Sequence, residues 1–220
     1  MTDKVKLSKM TGKLTGITGE NTNPLTNEYC KKRNNSKCDN EVCKHCYSCY
    51  MLHTFRKSCI NAFQHNTELL SKPIKIDALP VIKTELCRVN AHGELINDAH
   101  LLNIINQCLK NPNTTFSLFS KRLGIINRVL KSVKKPNNLI IVFSNLKIDK
   151  PIMSLEHKAF RHVDKIFNVV TSMPTAILLL DNAIHFCKGK RCNTCKVCYE
   201  PGERIIFEEL RVKPTVNTTR

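Results

Sequence analysis

The sequence predicts an α/β protein: a parallel sheet of βα repeats forming an open sheet or a partial barrel, with cysteine-rich metal-cluster loops near both ends. Three observations predict it. Strand-like runs centred near Cys87, Leu118, Val142 and Val169 recur every 24 to 31 residues, the length of a βα unit. Such runs are almost continuously apolar, as in Leu139–Phe143 (LIIVF), the pattern of strands buried on both faces. Two clusters of cysteines bracket these repeats.

Each element has its own signal. Residues 1–28 are polar and broken by Gly12, Gly16, Gly19 and Pro24, which reads as an irregular basic arm. Leu52, Phe55, Cys59, Ala62 and Phe63 recur at helical spacing, so an amphipathic helix is expected over about 50–70. Lys83–Asn90 is the first strand of the repeat, followed by a helix from Asp98 to Leu109 that stops at Asn111-Pro112. Thr114–Ser120 is the next strand, and the helix Ile125–Val133 ends before Pro136. Leu139–Ser144, a short helix near Leu155–Phe160, and the strand Lys165–Thr171 follow, with Ala176–Leu180 a fifth strand. The expected division is an arm over 1–28, a cysteine cluster and helix over 29–70, and a βα core over 71–185. A second cysteine cluster over 186–205 and a tail over 206–220 complete one compact domain.

Composition narrows the function. The longest apolar runs are five residues, whereas a membrane-spanning helix needs about 20. The first 20 residues carry lysines but no apolar core, so no secretory signal is read there. The expectation is a soluble protein of the cytoplasm without a membrane partner. In that reducing compartment, 12 cysteines argue for metal thiolates rather than disulfides. The formal charge of +17 makes nucleic acid, gripped through a basic surface, a candidate partner.

The cysteines repeat one spacing. C-x4-C-x2-C-x2-C runs through Cys38, Cys43, Cys46 and Cys49, and again through Cys187, Cys192, Cys195 and Cys198. A tyrosine follows each run, Tyr50 and Tyr199. Structural zinc usually takes two C-x2-C knuckles separated by a longer span. Tandem C-x2-C-x2-C instead lets one loop offer three thiolates to a [4Fe–4S] cluster, with a fourth from elsewhere. Iron–sulfur is therefore the favoured reading and Zn2+ the alternative. Cys30 and Cys59 stay open as substitute ligands, while Cys87 and Cys108 sit in apolar runs and read as core. Lys31, Lys32 and Arg33 before the first run, and Lys188, Lys190 and Arg191 within the second, are cations that favour the thiolate form.

In parallel α/β sheets, function sits at the C-terminal ends of the strands. Those ends carry Arg88, Asn90, His92 and Glu94, then Ser120 and Lys121, then Ser144 and Asn145, then Thr171 and Ser172. Glu94, His92 and Lys121 are the catalytic candidates among them.

The order of cysteine cluster, helix, strand and then Ala91-His92-Gly93-Glu94-Leu95 resembles the radical SAM superfamily. The resemblance implies a TIM-like partial barrel, a cluster held by Cys43, Cys46 and either Cys38 or Cys49, and SAM contacts from Gly93 and Glu94. The spacing departs from that family's C-x3-C-x2-C by one residue, and a fourth cysteine would close the open iron that SAM requires. The chain also resembles the gene product 88 family of bacteriophage proteins. The likeness lies in Cys49-Tyr50 (or Cys46-Tyr47), the stretch Arg88 to Glu94, Ser120-Lys121, and the tail Cys187 to Cys198. It implies a viral protein acting in a host-cell cytoplasm, with a metal-cluster barrel. Arg88, Gly93 and Glu94 are the cofactor-binding candidates.

The leading expectation is an iron–sulfur protein with one or two closed clusters, exchanging electrons with a redox partner protein. A zinc-binding, nucleic-acid-binding protein is the alternative, and a SAM-dependent radical enzyme the second. A Cys–His nucleophilic enzyme using Cys87 or Cys59 is the weakest reading, because no spacing supports it.

Overall fold

The computed structural model describes residues 4–172 and 184–210. The stretch expected as an irregular arm supplies two short strands, β1 (Leu7–Lys9) and β2 (Thr18–Glu20). Helix α1 (Glu28–Asn34) starts at Asn27, whose side chain accepts the Cys30 N–H. The expected helix over 50–70 is divided into α2 (Tyr47–His53), a 3-10 turn at Lys57–Cys59, and α3 (Ile60–Leu70). The break falls at Thr54, whose backbone leaves helical geometry.

The repeats then follow the expected order. Strand β3 is Leu86–Val89, and α4 (Asp98–Lys110) is capped by Asn97 and stops at Asn111. Next come β4 (Thr115–Ser120), α5 (Leu123–Val129), β5 (Leu139–Ile148) and β6 (Lys165–Val170). Only a 3-10 turn, Lys158–Phe160, forms where a short helix was expected. After residue 183 come β7 (Ile184–Phe186), the single turn α6 (Cys192–Cys195), and β8 (Arg204–Glu209), which runs into the expected tail. The expected strand Ala176–Leu180 lies outside the described residues.

The eight strands of the described residues form one sheet, in the order β1-β2-β3-β4-β5-β6-β8-β7. Every neighbouring pair is parallel except β1 and β2. The expected partial barrel is thus corrected to an open sheet. Among the described residues, its two edge strands are three residues long and pair with their inner neighbours only, and β1 runs against the rest, so no pairing closes the ring.

Strand alternation gives the sheet two different faces. On one, Cys87, Val89, Phe116, Leu118, Ile141 and Ile166 pack beneath α4 and α5 in the largest apolar core. Cys87 and Cys108 are fully buried in it, as expected for core thiols. The opposite face presents Phe119, Ile140, Val142, Phe167, Val169 and Ile206. No long helix of the described residues packs on that second apolar cluster; Val42, Cys187, Val197 and Cys198 cover it instead. A third patch joins Ile17, Leu86 and Tyr199 to Cys192 and Cys198. Both cysteine segments therefore serve as the lid of one sheet face.

Candidate functional site

The C-terminal run wraps Cys187, Cys192, Cys195 and Cys198 about one location. Cys187 follows β7 directly, Cys192 and Cys195 bound α6, and Lys196 takes a left-handed conformation (φ 52°) that turns the chain toward Cys198. The four thiols act on one another electrostatically. Burial pushes Cys198 up to about 12 and also raises Cys192, while Arg88 pulls both back toward the thiolate. Lys13 Nζ donates to Cys187 Sγ at 3.4 Å and ion-pairs with Glu208, and His185 Nε2 stands 3.4 Å from Cys195 Sγ. A cavity of about 350 Å³ opens among these cysteines, His185 and Tyr199.

Arg88 belongs to this location. Its side chain leaves β3 on the face that lacks helices, with the guanidinium over the Phe119 ring at 3.1 Å from the centroid. Its Nε is buried without a hydrogen-bond partner. A half-buried cation beside Cys192 and Cys198 is better balanced when those thiols ionise.

The N-terminal run is distributed differently. Cys43 lies in a 3-10 turn (Val42–His45), Cys46 caps α2, and Cys49 is buried one turn further on. A side-chain hydrogen bond with Cys49 outweighs burial and draws Cys46 down to about 6, helped by the Cys49 backbone, Lys121 and the Ser48 backbone. Cys30 shares this neighbourhood: burial, Glu94, Cys46 and Cys43 all push its thiol up. Burial opposes the charge on Lys121, but Cys43, Glu94, Cys46 and Cys30 together raise its pKa. Lys121 Nζ donates to Ser144 Oγ at 3.0 Å. Cys38 stands elsewhere, its Sγ 2.9 Å from Asn40 Oδ1 and 3.0 Å from Lys147 Nζ. Cys59 ends the 3-10 turn before α3.

The other candidates take mainly structural positions. Glu94 is buried, and its two carboxylate oxygens accept the backbone N–H groups of Leu95 and Lys121, each at 2.8 Å. Gly93 has φ +84°, and a Cβ there would stand 2.1 Å from Thr22 Oγ1, so the glycine is required by close chain approach. His92 is buried between Tyr47 and Phe63, with Nδ1 2.7 Å from Ser48 Oγ. Burial lowers it to about 4. Glu94 and Lys121 are thus brought together, His92 is turned to α2, and Arg88 is assigned to the other cysteine group. Nothing in the sequence marks Lys13 and Lys147 as thiol partners; both are single lysines in unpatterned stretches.

Among the described residues, no three His, Cys, Asp or Glu side chains converge as a site for a single metal ion. The thiols are gathered at electrostatic range only. The donor set fits a thiolate-bound centre: four sulfurs in the C-terminal group, with a half-buried arginine beside them.

A family model described as gene product 88 matches residues 2–201. No curated protein and no solved structure matches the chain.

Proposed function

The chain belongs to the gene product 88 family, and on that premise we propose that it is a viral iron–sulfur protein of the host-cell cytoplasm. It binds a [4Fe–4S] cluster through Cys187, Cys192, Cys195 and Cys198, and a second through an N-terminal set that includes Cys43, Cys46 and Cys49. Arg88 carries this reading: a cation with a buried, unpartnered Nε beside Cys192 and Cys198 of the four-thiol group. Four thiolates around a cubane leave a net negative charge, which the guanidinium offsets inside a poorly solvated site. Such a centre supplies one-electron exchange. The protein's own part is to hold the sulfurs, exclude water with Tyr199 and the apolar sheet face, and bias the charge balance through Arg88 and Lys121.

A closed cluster exchanges electrons and does not activate a ligand, so a redox partner protein is the natural counterpart. Both carboxylate oxygens of Glu94 are already engaged by the backbone. That arrangement supports a loop-fixing role over SAM binding.

Anaerobically purified protein is expected to be brown, to contain iron and acid-labile sulfide in equal amounts, and to bleach with dithionite. Colourless protein with stoichiometric zinc, produced under iron-replete anaerobic conditions, would overturn the reading in favour of a zinc protein.

A further inference from the structure

We propose that Cys30 completes the N-terminal set with Cys43, Cys46 and Cys49 around the Lys121 ammonium, and that Cys38 lies outside it, held by Lys147. The assignment rests on the thiolate-cluster reading above and replaces the regular spacing by C-x12-C-x2-C-x2-C.

The argument begins with what delivers Cys30. Asn27 caps α1 by accepting the Cys30 N–H at 3.3 Å, and its Nδ2 donates to the Glu94 carbonyl at 3.1 Å. One side chain therefore ties the start of α1 to the loop after β3. The Glu94 carboxylate in turn holds the Lys121 backbone at 2.8 Å, at the end of β4. Cys30, Glu94 and Lys121 are thus fixed to one place by a continuous chain of hydrogen bonds. The 3-10 turn that carries Cys43 packs against α1, and Cys46 follows at the start of α2.

A different part of the sheet holds Cys38. Beyond Ser144, β5 continues past an irregularity to Ile148, and this extension pairs with the cysteine segment through a bridge between Glu41 and Lys147. The Ile148 N–H donates to the Asn40 carbonyl at 2.8 Å. Lys147 Nζ then reaches Cys38 Sγ at 3.0 Å and Glu41 Oε1 at 3.2 Å. Moving Cys38 to the Lys121 location requires breaking this bridge and leaving Glu41, which is 4% exposed, with Arg33 at 3.3 Å in place of two cations. Cys30 needs no such rearrangement. Charge favours it as well, since gathering thiolates beside a half-buried ammonium balances both partners.

The test uses the full chain, reconstituted anaerobically with ferrous iron and sulfide. Cys38→Ala is expected to keep the iron content of the unchanged protein, and Cys30→Ala to lose about half, one cluster of two. Iron loss in Cys38→Ala with retention in Cys30→Ala would overturn the assignment, as would equal behaviour of the two variants. A protein that takes up iron but fails this comparison sinks the ligand assignment alone. An unchanged chain that takes up zinc and no iron sinks the cluster reading itself. In case Cys30→Ala folds poorly, iodoacetamide labelling of the loaded natural sequence reads the same point without substitution. Cys38 should be alkylated and Cys30 protected until the cluster is destroyed; alkylation of Cys30 in loaded protein would refute the proposal.

Discussion

Glu20 shows how much one side chain can decide. It ends β2 on the face covered by α4, 1% exposed, with Cys87, Cys108 and Gln107 about it. Burial raises its carboxyl to about 7, and the neighbouring Gln107 side chain offsets part of that rise. In the unfolded chain the same group titrates near 4.5. Between these values the native state holds a proton that the unfolded state has lost, so stability falls as pH rises through that window. The full penalty, about 3 kcal/mol, is present above pH 7. Glu20→Gln is expected to remove this slope and to be more stable than the natural sequence at pH 8, with little difference at pH 4. Urea unfolding at the two pH values checks it, and a parallel pH slope in the variant would refute it. The sequence concealed this residue. A carboxylate in a polar, glycine-rich stretch carries no burial pattern, and only the parallel pairing of β2 with β3 takes it inside. Cys87 and Cys108 were legible for the opposite reason, because each sits in an apolar run.

Among the elements, α2 has the most consequence for the candidate site, since Cys46 caps it and Cys49 lies on its first turn. A seven-residue helix has little stability of its own. Tertiary anchors hold it: Tyr47 donates to the Ala91 carbonyl at 2.7 Å, Ser48 meets His92, and Leu52 is fully buried. Ser48→Ala leaves a neutral, buried His92 nitrogen without its partner, at a cost of roughly 1–3 kcal/mol. Thermal unfolding should register that loss, and reconstituted iron should fall at the N-terminal set while the C-terminal set stays loaded. An unchanged melting temperature would mean that water replaces the hydroxyl and that α2 is held by its apolar contacts alone. The helix expected over 50–70 hid this geometry. Its apolar spacing runs smoothly through Phe55, yet Phe55 is 69% exposed, and the chain breaks at Thr54 to begin a second helix. The central strands were legible because burial on both faces makes them apolar throughout. Strands β1 and β7 were not, since three residues at a sheet edge have no periodicity to read.

At the scale of the whole molecule, the two sheet faces are protected by different means. Helices α4 and α5 cover one face with a contiguous apolar core, whereas short cysteine-bearing segments cover the other. Periodicity announces the first kind of cover, but segments with four cysteines and few apolar side chains give no hint that they lie on a sheet. That is why the sequence placed the cysteine loops near both ends without showing that they share a face. Closure into a barrel comes instead from the radical SAM resemblance. The βα repeats alone suit an open sheet as well, and the sheet stays open with its second face covered by the cysteine segments. The consequence is testable on the intact chain. If thiolate centres hold these covers in place, stripping the metal with a chelator under anaerobic reducing conditions should uncover Phe119, Val142, Phe167 and Ile206. Binding of a hydrophobic dye should rise and the melting temperature fall, while far-ultraviolet circular dichroism keeps most of its helical signal from α3, α4 and α5. A stripped protein with unchanged dye binding and melting temperature would show that Val42, Val197 and Tyr199 hold the covers by packing alone. The thiols would then be passengers on a fold complete without them.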